Sequence, residues 1–378
     1  MNIVCFLAGN YYKNITGGAE LQMYFLAQEF IKRGWEVHYL TTDVKKDIKY
    51  VDDNIVIHGI EKGSVKNVEQ TIETIKPNLL YLRSRHKNLS FYMKYALKAD
   101  IPYIYAFASD YHIKKNFGLN KIKNDIIKGK LLSILKIKYA YINDQLFSEL
   151  IAKSLIITTQ NSYQFDGIKR ITGKHQNIIL QQNVFPYKIN KNSKDIRKHK
   201  VVILWLSNMK PWKHPKLFLE LAKIVADESI ELLMIGRCDD LKLLHQINKL
   251  KETNISFNYI GPKSQNEVFE FLKITDILIN TSLAGQEGFP NTFIQAWFHS
   301  IPVITLEVDP DNLISKHKLG LNANSSFDQL VAHTKKLISD TNLRKKLGKN
   351  AFNFANQNFT TKNYNEMFQK LKESQLFD

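Results

Sequence analysis

The chain has 378 residues, enough for two or three domains, and its 44% hydrophobic content is ordinary for a globular protein. Its two cysteines, Cys5 and Cys238, are far apart and give neither a disulfide framework nor a metal spacing, which points to a reducing cytoplasm; residues 1–7 lack the basic start of a signal peptide, and no apolar run approaches the roughly 20 residues of a spanning helix. The net charge is +17, with +11 of it in residues 1–190, so anionic lipid, phosphorylated substrate and nucleic acid all remain admissible partners, but no nucleic-acid motif accompanies the charge.

Residues 2–8 form an apolar run that reads as a first buried strand. A polar loop over residues 10–16 ends in Gly17-Gly18-Ala19-Glu20, and Leu21, Tyr24, Phe25, Ala27 and Phe30 then fall at helical spacing up to Gly34. This is a βα unit with a phosphate-permissive turn. It is not G-x-G-x-x-G, which disfavours a dinucleotide dehydrogenase. Strands at 35–41, 55–59, 78–83 and 102–107, with helices at 68–75 and 91–99, continue the alternation of a doubly wound sheet. The basic cluster Arg83, Arg85, His86 and Lys87 follows one strand; Asp110 follows another, where α/β sheets place their sites, and reads equally well as a cap opening a loop.

Residues 114–139 carry Lys114, Lys115, Lys121, Lys123, Lys128, Lys130, Lys136 and Lys138 against a single Asp125. Ile122, Ile126, Ile127, Leu131, Leu132, Leu135 and Ile137 are interleaved, as in a basic amphipathic helix. Such a helix lies on a membrane surface or packs its apolar side on its own domain; both readings stand. After strands at 154–159 and 178–180, residues 183–200 turn polar and basic, the clearest domain boundary in the chain.

The second half opens with a buried strand at 201–206, and a loop through Asn208, Lys210 and Lys213 leads into a helix. A lysine at a helix start opposes the helix dipole unless an anion sits between them. Strands at 231–236, ending at Gly236, and at 255–261 come next. The strand at 277–280 precedes the most informative stretch of the sequence. A small, polar loop over residues 281–286 leads to Glu287-Gly288-Phe289-Pro290-Asn291, where Pro290 is placed as the first residue of a helix. A helix N-terminus after a buried strand is an anion site, and Gly288 with Phe289 would turn free N–H groups outward. Glu287 is an acceptor suited to sugar hydroxyls, and Asn291 and Gln295 are i,i+4 neighbours on one helix face. The combination suits a diphosphate bearing several hydroxyls: a nucleotide sugar. A strand at 301–305, a helix over 327–338 and a terminal helix over 363–372 complete the chain.

Glu-Gly-Phe-Pro-Asn followed by Gln-Ala-Trp resembles the signature of the retaining glycosyltransferases of family 4 (group 1), and Gly17-Gly18-Ala19-Glu20 resembles their N-terminal glycine loop. The resemblance implies the GT-B fold: two Rossmann-like domains facing a cleft, with a C-terminal helix crossing back to the first. The boundaries expected are 1–188 for the acceptor domain, 189–360 for the donor domain and 361–378 for the returning helix. In that family one Glu lies by the donor sugar and a second, eight residues on, holds the ribose; here these are Glu287 and a substituted Gln295. An Arg and a Lys usually grip the diphosphate. Lys213 matches the Lys, whereas Asn208 occupies the Arg position, with Lys210 available to supply charge. The family's usual His falls at Ala108, which leaves Asp110 as the polar group expected near the transferred sugar.

The expected reaction is therefore retaining transfer of a hexose from a nucleotide sugar, UDP-glucose first and GDP-mannose next, to a glycan or lipid-linked glycan in polysaccharide assembly. Glu287, Lys213 and Asp110 are the expected catalytic residues. The donor site adds Gly17, Gly18, Asn208, Lys210, Gly236, Gly288, Phe289, Pro290, Asn291 and Gln295. No Asp-x-Asp motif is present, so no metal and no cofactor are expected beyond the donor itself. A cytoplasmic protein, peripheral on an anionic membrane face and without a nucleic-acid partner, is the expected setting. A sugar-nucleotide epimerase of the same architecture and a non-catalytic basic membrane or nucleic-acid binder are the alternatives.

Overall fold

The computed structural model describes residues 1–13, 17–61, 63–85, 88–114, 117–127, 131–173, 177–186 and 200–376. His86, Lys87, Lys115, Lys128, Lys130 and most of the polar stretch expected as a linker lie outside the described residues. The chain divides into two compact units: residues 1–183 together with 361–378, and residues 184–360.

The first unit is built on β1 (Ile3–Ala8), β2 (Glu36–Val44), β3 (Ile48–Asp52), β4 (Ile55–Glu61), β5 (Leu79–Arg83), β6 (Tyr103–Ala106), β7 (Ile156–Thr159) and β8 (Ile178–Leu180). They form one sheet in the order β3-β4-β2-β1-β5-β6-β7-β8, parallel apart from the antiparallel β3–β4 pair. Near-continuous apolar strands such as β1 and β5 are buried because helices cover both faces of a parallel sheet. The strand β3 was not expected from the sequence. Its burial alternates between partial and exposed, and its turn is made by Asp53 and Asn54, both at positive φ, rather than by the commoner Asn-Gly. The terminal helix Asn365–Glu373 belongs to this unit: Phe368 packs on Phe30 and under the Arg33 guanidinium, and Asn365 accepts from Arg33 at 3.2 Å.

The described residues within 114–139 form a helix Phe117–Ile127, a 3-10 segment Leu131–Lys136 and the start of a helix Ile137–Ala152, rather than the one amphipathic helix expected. The buried carboxylate of Asp144, on that last helix, accepts from the Gly118 and Leu119 N–H groups at 2.9 and 3.1 Å, satisfying the start of Phe117–Ile127. Arg85 also pairs with Asp144 at 2.5 Å and lies over Phe147. Arg83 is buried as well, and its guanidinium donates to the Asn183 side-chain oxygen at 3.2 Å.

The second unit holds β9 (Val201–Leu206), β10 (Ile230–Ile235), β11 (Phe257–Gly261), β12 (Ile277–Asn280), β13 (Val303–Thr305) and β14 (Gly320–Asn322). All are parallel, in the order β11-β10-β9-β12-β13-β14. Alternate residues feed opposite faces. Val202, Leu204, Leu233 and Ile235 join one core, around Trp297 and Phe359, while Ile203, Trp205, Leu232 and Met234 join the other, around Phe218 and Leu330. The strand order reverses between β9 and β12, and such a reversal opens a crevice at the carboxyl ends of the two strands.

Candidate donor site

Lys213 and Glu287 meet above that reversal. Lys213 leaves β9 through a 3-10 turn, Pro211–Lys213, and a helix Pro215–Val225 starts two residues later. Glu287 leaves β12 through the loop that ends at the helix Asn291–Phe298. The Lys213 Nζ donates directly to the Glu287 carboxylate, and the two side chains are 17% and 14% exposed. The Lys213 backbone is fixed from below: Trp205 Nε1 donates to the Thr281 hydroxyl at 2.9 Å, and that hydroxyl donates to the Lys213 carbonyl at 2.6 Å. Leu283 N–H donates to the Trp212 carbonyl at 2.9 Å, so the two loops are laced at two points.

Burial pulls the Lys213 ammonium down from 10.5 to about 7, and the Glu287 carboxylate acts in the opposite sense by favouring the charged form. Neither helix bordering the pair has a side-chain cap or an acidic residue in its first turn. Elsewhere in this unit Asp240, Ser264, Ser326 and Asp340 cap their helices. Two uncapped helix starts and one buried cation make a place for an anion, and Glu287 takes part of that role in the chain as it stands.

The other expected donor residues divide into three groups. Asn208 accepts from the Arg237 N–H at 3.3 Å, Lys210 pairs with Asp239 at 3.2 Å, and Gly236 sits at φ 146° against the Ser207 carbonyl, so these three share the junction of the β9 and β10 loops. Gly288, Phe289 and Pro290 are buried, and the Phe289 ring packs on Trp297 and Phe359, supporting the loop from the core side. Pro290 is not the first helical residue. Its φ of −63° suits a helix, but its ψ of 119° keeps it extended, and its carbonyl accepts from Phe293 N–H as an N-cap does; the helix begins at Asn291. Asn291 is half-buried and Gln295 is buried, one turn apart on that helix.

Three expected residues belong to the first unit. Gly17 precedes the helix Gly18–Lys32, and a Cβ there would lie 2.0 Å from the Glu20 carboxylate, which occupies the space that the glycine leaves open. Burial raises the pKa of that carboxyl, and Arg83 opposes the shift. Gly18 is the first helical residue. Asp110 does not cap its turn. Ser109 does, and Asp110 accepts from Asn161 Nδ2 at 3.0 Å and Gln164 Nε2 at 2.8 Å, tying the end of β6 to the helix Ser162–Thr172. Among the described residues no cluster of three His, Cys, Asp or Glu side chains could hold a metal ion.

Thr281, Arg237 and Asp239 were missed as site residues. Thr281 follows a buried strand and Arg237 follows the strand-end Gly236, but nothing in the order of residues shows that their loops meet Lys213 and Asn208. Among the described residues no helix is long and apolar enough to cross a membrane.

Residues 187–354 match the family model described as glycosyl transferases group 1, and the match lies entirely within the second unit. The chain is 24% identical over 261 residues to an uncharacterized glycosyltransferase, MJ1069, of Methanocaldococcus jannaschii; the match covers 64% of this chain and 65% of the relative, just under two thirds of its length. The fold is similar to Alr3699/HepE of Anabaena, solved with UDP and glucose, at a TM-score of 0.70, 17% identity and coverage of 99% and 100% of the two chains. It is also similar to WaaG, a glycosyltransferase involved in lipopolysaccharide biosynthesis, at 0.67, 13% identity and coverage of 93% and 95%. The architecture is α/β of the GT-B class, with two Rossmann-like domains.

Proposed function

We propose that this chain is a retaining glycosyltransferase that moves a hexose from a nucleotide sugar to a glycan or lipid-linked glycan acceptor. The observation that carries the reading is the Lys213–Glu287 pair over the strand reversal between β9 and β12, bordered by two uncapped helix starts. A donor diphosphate laid there meets the Lys213 ammonium and helix N–H groups, while Glu287 is placed to accept from sugar hydroxyls.

In the proposed reaction the acceptor oxygen bonds to the anomeric carbon as the bond from that carbon to the phosphate oxygen breaks. The acceptor proton passes to the departing phosphate. Negative charge grows on the diphosphate as it leaves, and Lys213 offsets it. Same-face transfer and the neutral ribose contact by Gln295 rest on the family resemblance. UDP is the first nucleotide to try because the similar Anabaena protein was solved with it.

The acceptor side of the proposal rests on charge and on an exposed face. Ile127, Leu135, Tyr139, Tyr141 and Ile142 are each at least half exposed, with Lys136 and Lys138 exposed among them. Anionic lipid attracts such lysines at about 1 kcal/mol each, which suits a lipid-linked acceptor at a membrane surface.

A thermal-shift panel of UDP-, GDP- and ADP-sugars tests the reading. A donor at one hundred times its Kd stabilises by about 2.7 kcal/mol, so one sugar nucleotide raises the melting temperature and the others do not. No shift with any of them contradicts the proposal.

A further inference from the structure

The loops after β9 and β10 are locked together more tightly than side chains ordinarily allow. Gly236 adopts φ 146°, and a Cβ on it would lie 1.8 Å from the Ser207 carbonyl oxygen, so only glycine permits this approach. Across the junction Ser207 N–H donates to the Ile235 carbonyl at 3.0 Å, and Met209 N–H to the Arg237 carbonyl at 2.9 Å. Arg237 N–H donates in turn to the Asn208 side chain at 3.3 Å. Arg237 is thus fixed beside Asn208, at the mouth of the same strand that leads to Lys213.

Two cations converge on one carboxylate here. Lys210 Nζ lies 3.2 Å from Asp239 Oδ2, and Arg237 Nε lies 3.0 Å from Asp239 Oδ1, with all three side chains well exposed. The trio carries one uncompensated positive charge. At Lys213, by contrast, Glu287 already balances the ammonium. A diphosphate brings two or more negative charges, so Lys213 alone does not neutralise it. Exposed pairs such as those to Asp239 contribute about 0–1 kcal/mol and exchange readily for a stronger anion. Arginine also keeps further N–H groups of its fork free of Asp239, in the geometry that phosphate oxygens accept.

We propose that Arg237, assisted by Lys210, is the second diphosphate-gripping cation of the donor site, fixed beside position 208 by the Gly236 junction. The proposal rests on the nucleotide-sugar reading of the Lys213–Glu287 site. It assigns Arg237 to binding the phosphates and not to recognising the base or the sugar.

The test is calorimetric titration of the full chain with UDP, GDP and ADP, followed by the tightest binder and its parent nucleoside in variants. Arg237→Ala weakens the nucleoside diphosphate about tenfold, the loss expected for a charge-assisted hydrogen bond, and lowers the salt dependence of binding. The nucleoside binds the variant as it binds the wild type, and Arg237→Lys recovers part of the loss. Because Arg237 is exposed, its melting temperature stays at the wild-type value. Wild-type diphosphate affinity in Arg237→Ala, alongside weakened binding in Lys213→Ala, overturns the assignment while leaving the site in place. If no nucleoside diphosphate binds the wild type, the nucleotide-sugar reading falls and this assignment falls with it.

Discussion

Glu287→Gln removes the carboxylate from Lys213 while keeping the shape of the side chain. Burial alone moves the lysine from 10.5 to about 7. At about 1.4 kcal/mol per unit, that is about 5 kcal/mol against the buried ammonium. In the wild-type chain the ion pair offsets this cost, and both partners are mostly shielded from water, so the offset is not screened away. The glutamine retains an amide oxygen as acceptor, which places the expected loss of stability near the lower end of the roughly 3–5 kcal/mol found when one partner of a buried pair is removed.

The pH dependence has a definite sign. In Glu287→Gln burial holds the folded lysine below the ordinary 10.5 of the unfolded chain with no carboxylate to oppose it, so between the two values the unfolded chain holds more protons. The penalty is therefore complete below the depressed pKa of the folded lysine and is relieved as pH rises toward 10. Denaturant unfolding at pH 6.5, 8 and 9.5 measures it: the deficit against wild type is largest at pH 6.5 and narrows upward. Lys213→Met combined with Glu287→Gln removes the charge as well and recovers most of the loss. A Glu287→Gln variant as stable as wild type at every pH refutes the reasoning.

Three further outcomes follow from particular contacts. Gly236→Ala forces φ 146° on a residue with a Cβ that meets the Ser207 carbonyl; it costs about 1–3 kcal/mol for the backbone and a similar amount for the clash, and an unchanged melting temperature contradicts it. Gln295→Leu weakens nucleotide binding by about 1–3 kcal/mol, as an unmade hydrogen bond does, whereas Gln295→Glu retains it; equal donor affinity in the leucine variant removes Gln295 from the site. The chain floats with anionic liposomes at low salt and is released as salt is raised, and Leu135→Glu with Tyr139→Glu abolishes flotation; the absence of flotation in wild type leaves this face as an ordinary exposed surface.

What could be read from the sequence was what periodicity and adjacency encode. Runs such as residues 201–206 and 277–280 announce buried parallel strands because both faces are covered, and they appear as β9 and β12. The loops after those strands, with Lys213 and Glu287, could be named for the same reason. Their direct pairing could not, because 74 residues separate them and only the strand order brings them together. The same limit hid Arg237, which reaches Asn208 through the pairing of β9 with β10. Local rules failed where competing contacts decide the outcome. Pro290 has the φ of a helical residue but stays extended, just ahead of the helix. The lysine-rich stretch after Lys114 has helical spacing, yet its described residues lie in two helices and a 3-10 segment, and the first helix starts on Asp144, a carboxylate further along the chain.

The most direct measurement is release of nucleoside diphosphate from the nucleotide sugar that binds the wild type, in the presence of acceptor, for wild type, Lys213→Ala and Glu287→Ala. Each substitution is expected to lower turnover at least about tenfold, or about 1.4 kcal/mol at the barrier, with the folded structure retained by circular dichroism. Wild-type turnover in both folded variants would contradict the assignment of the donor site to this pair.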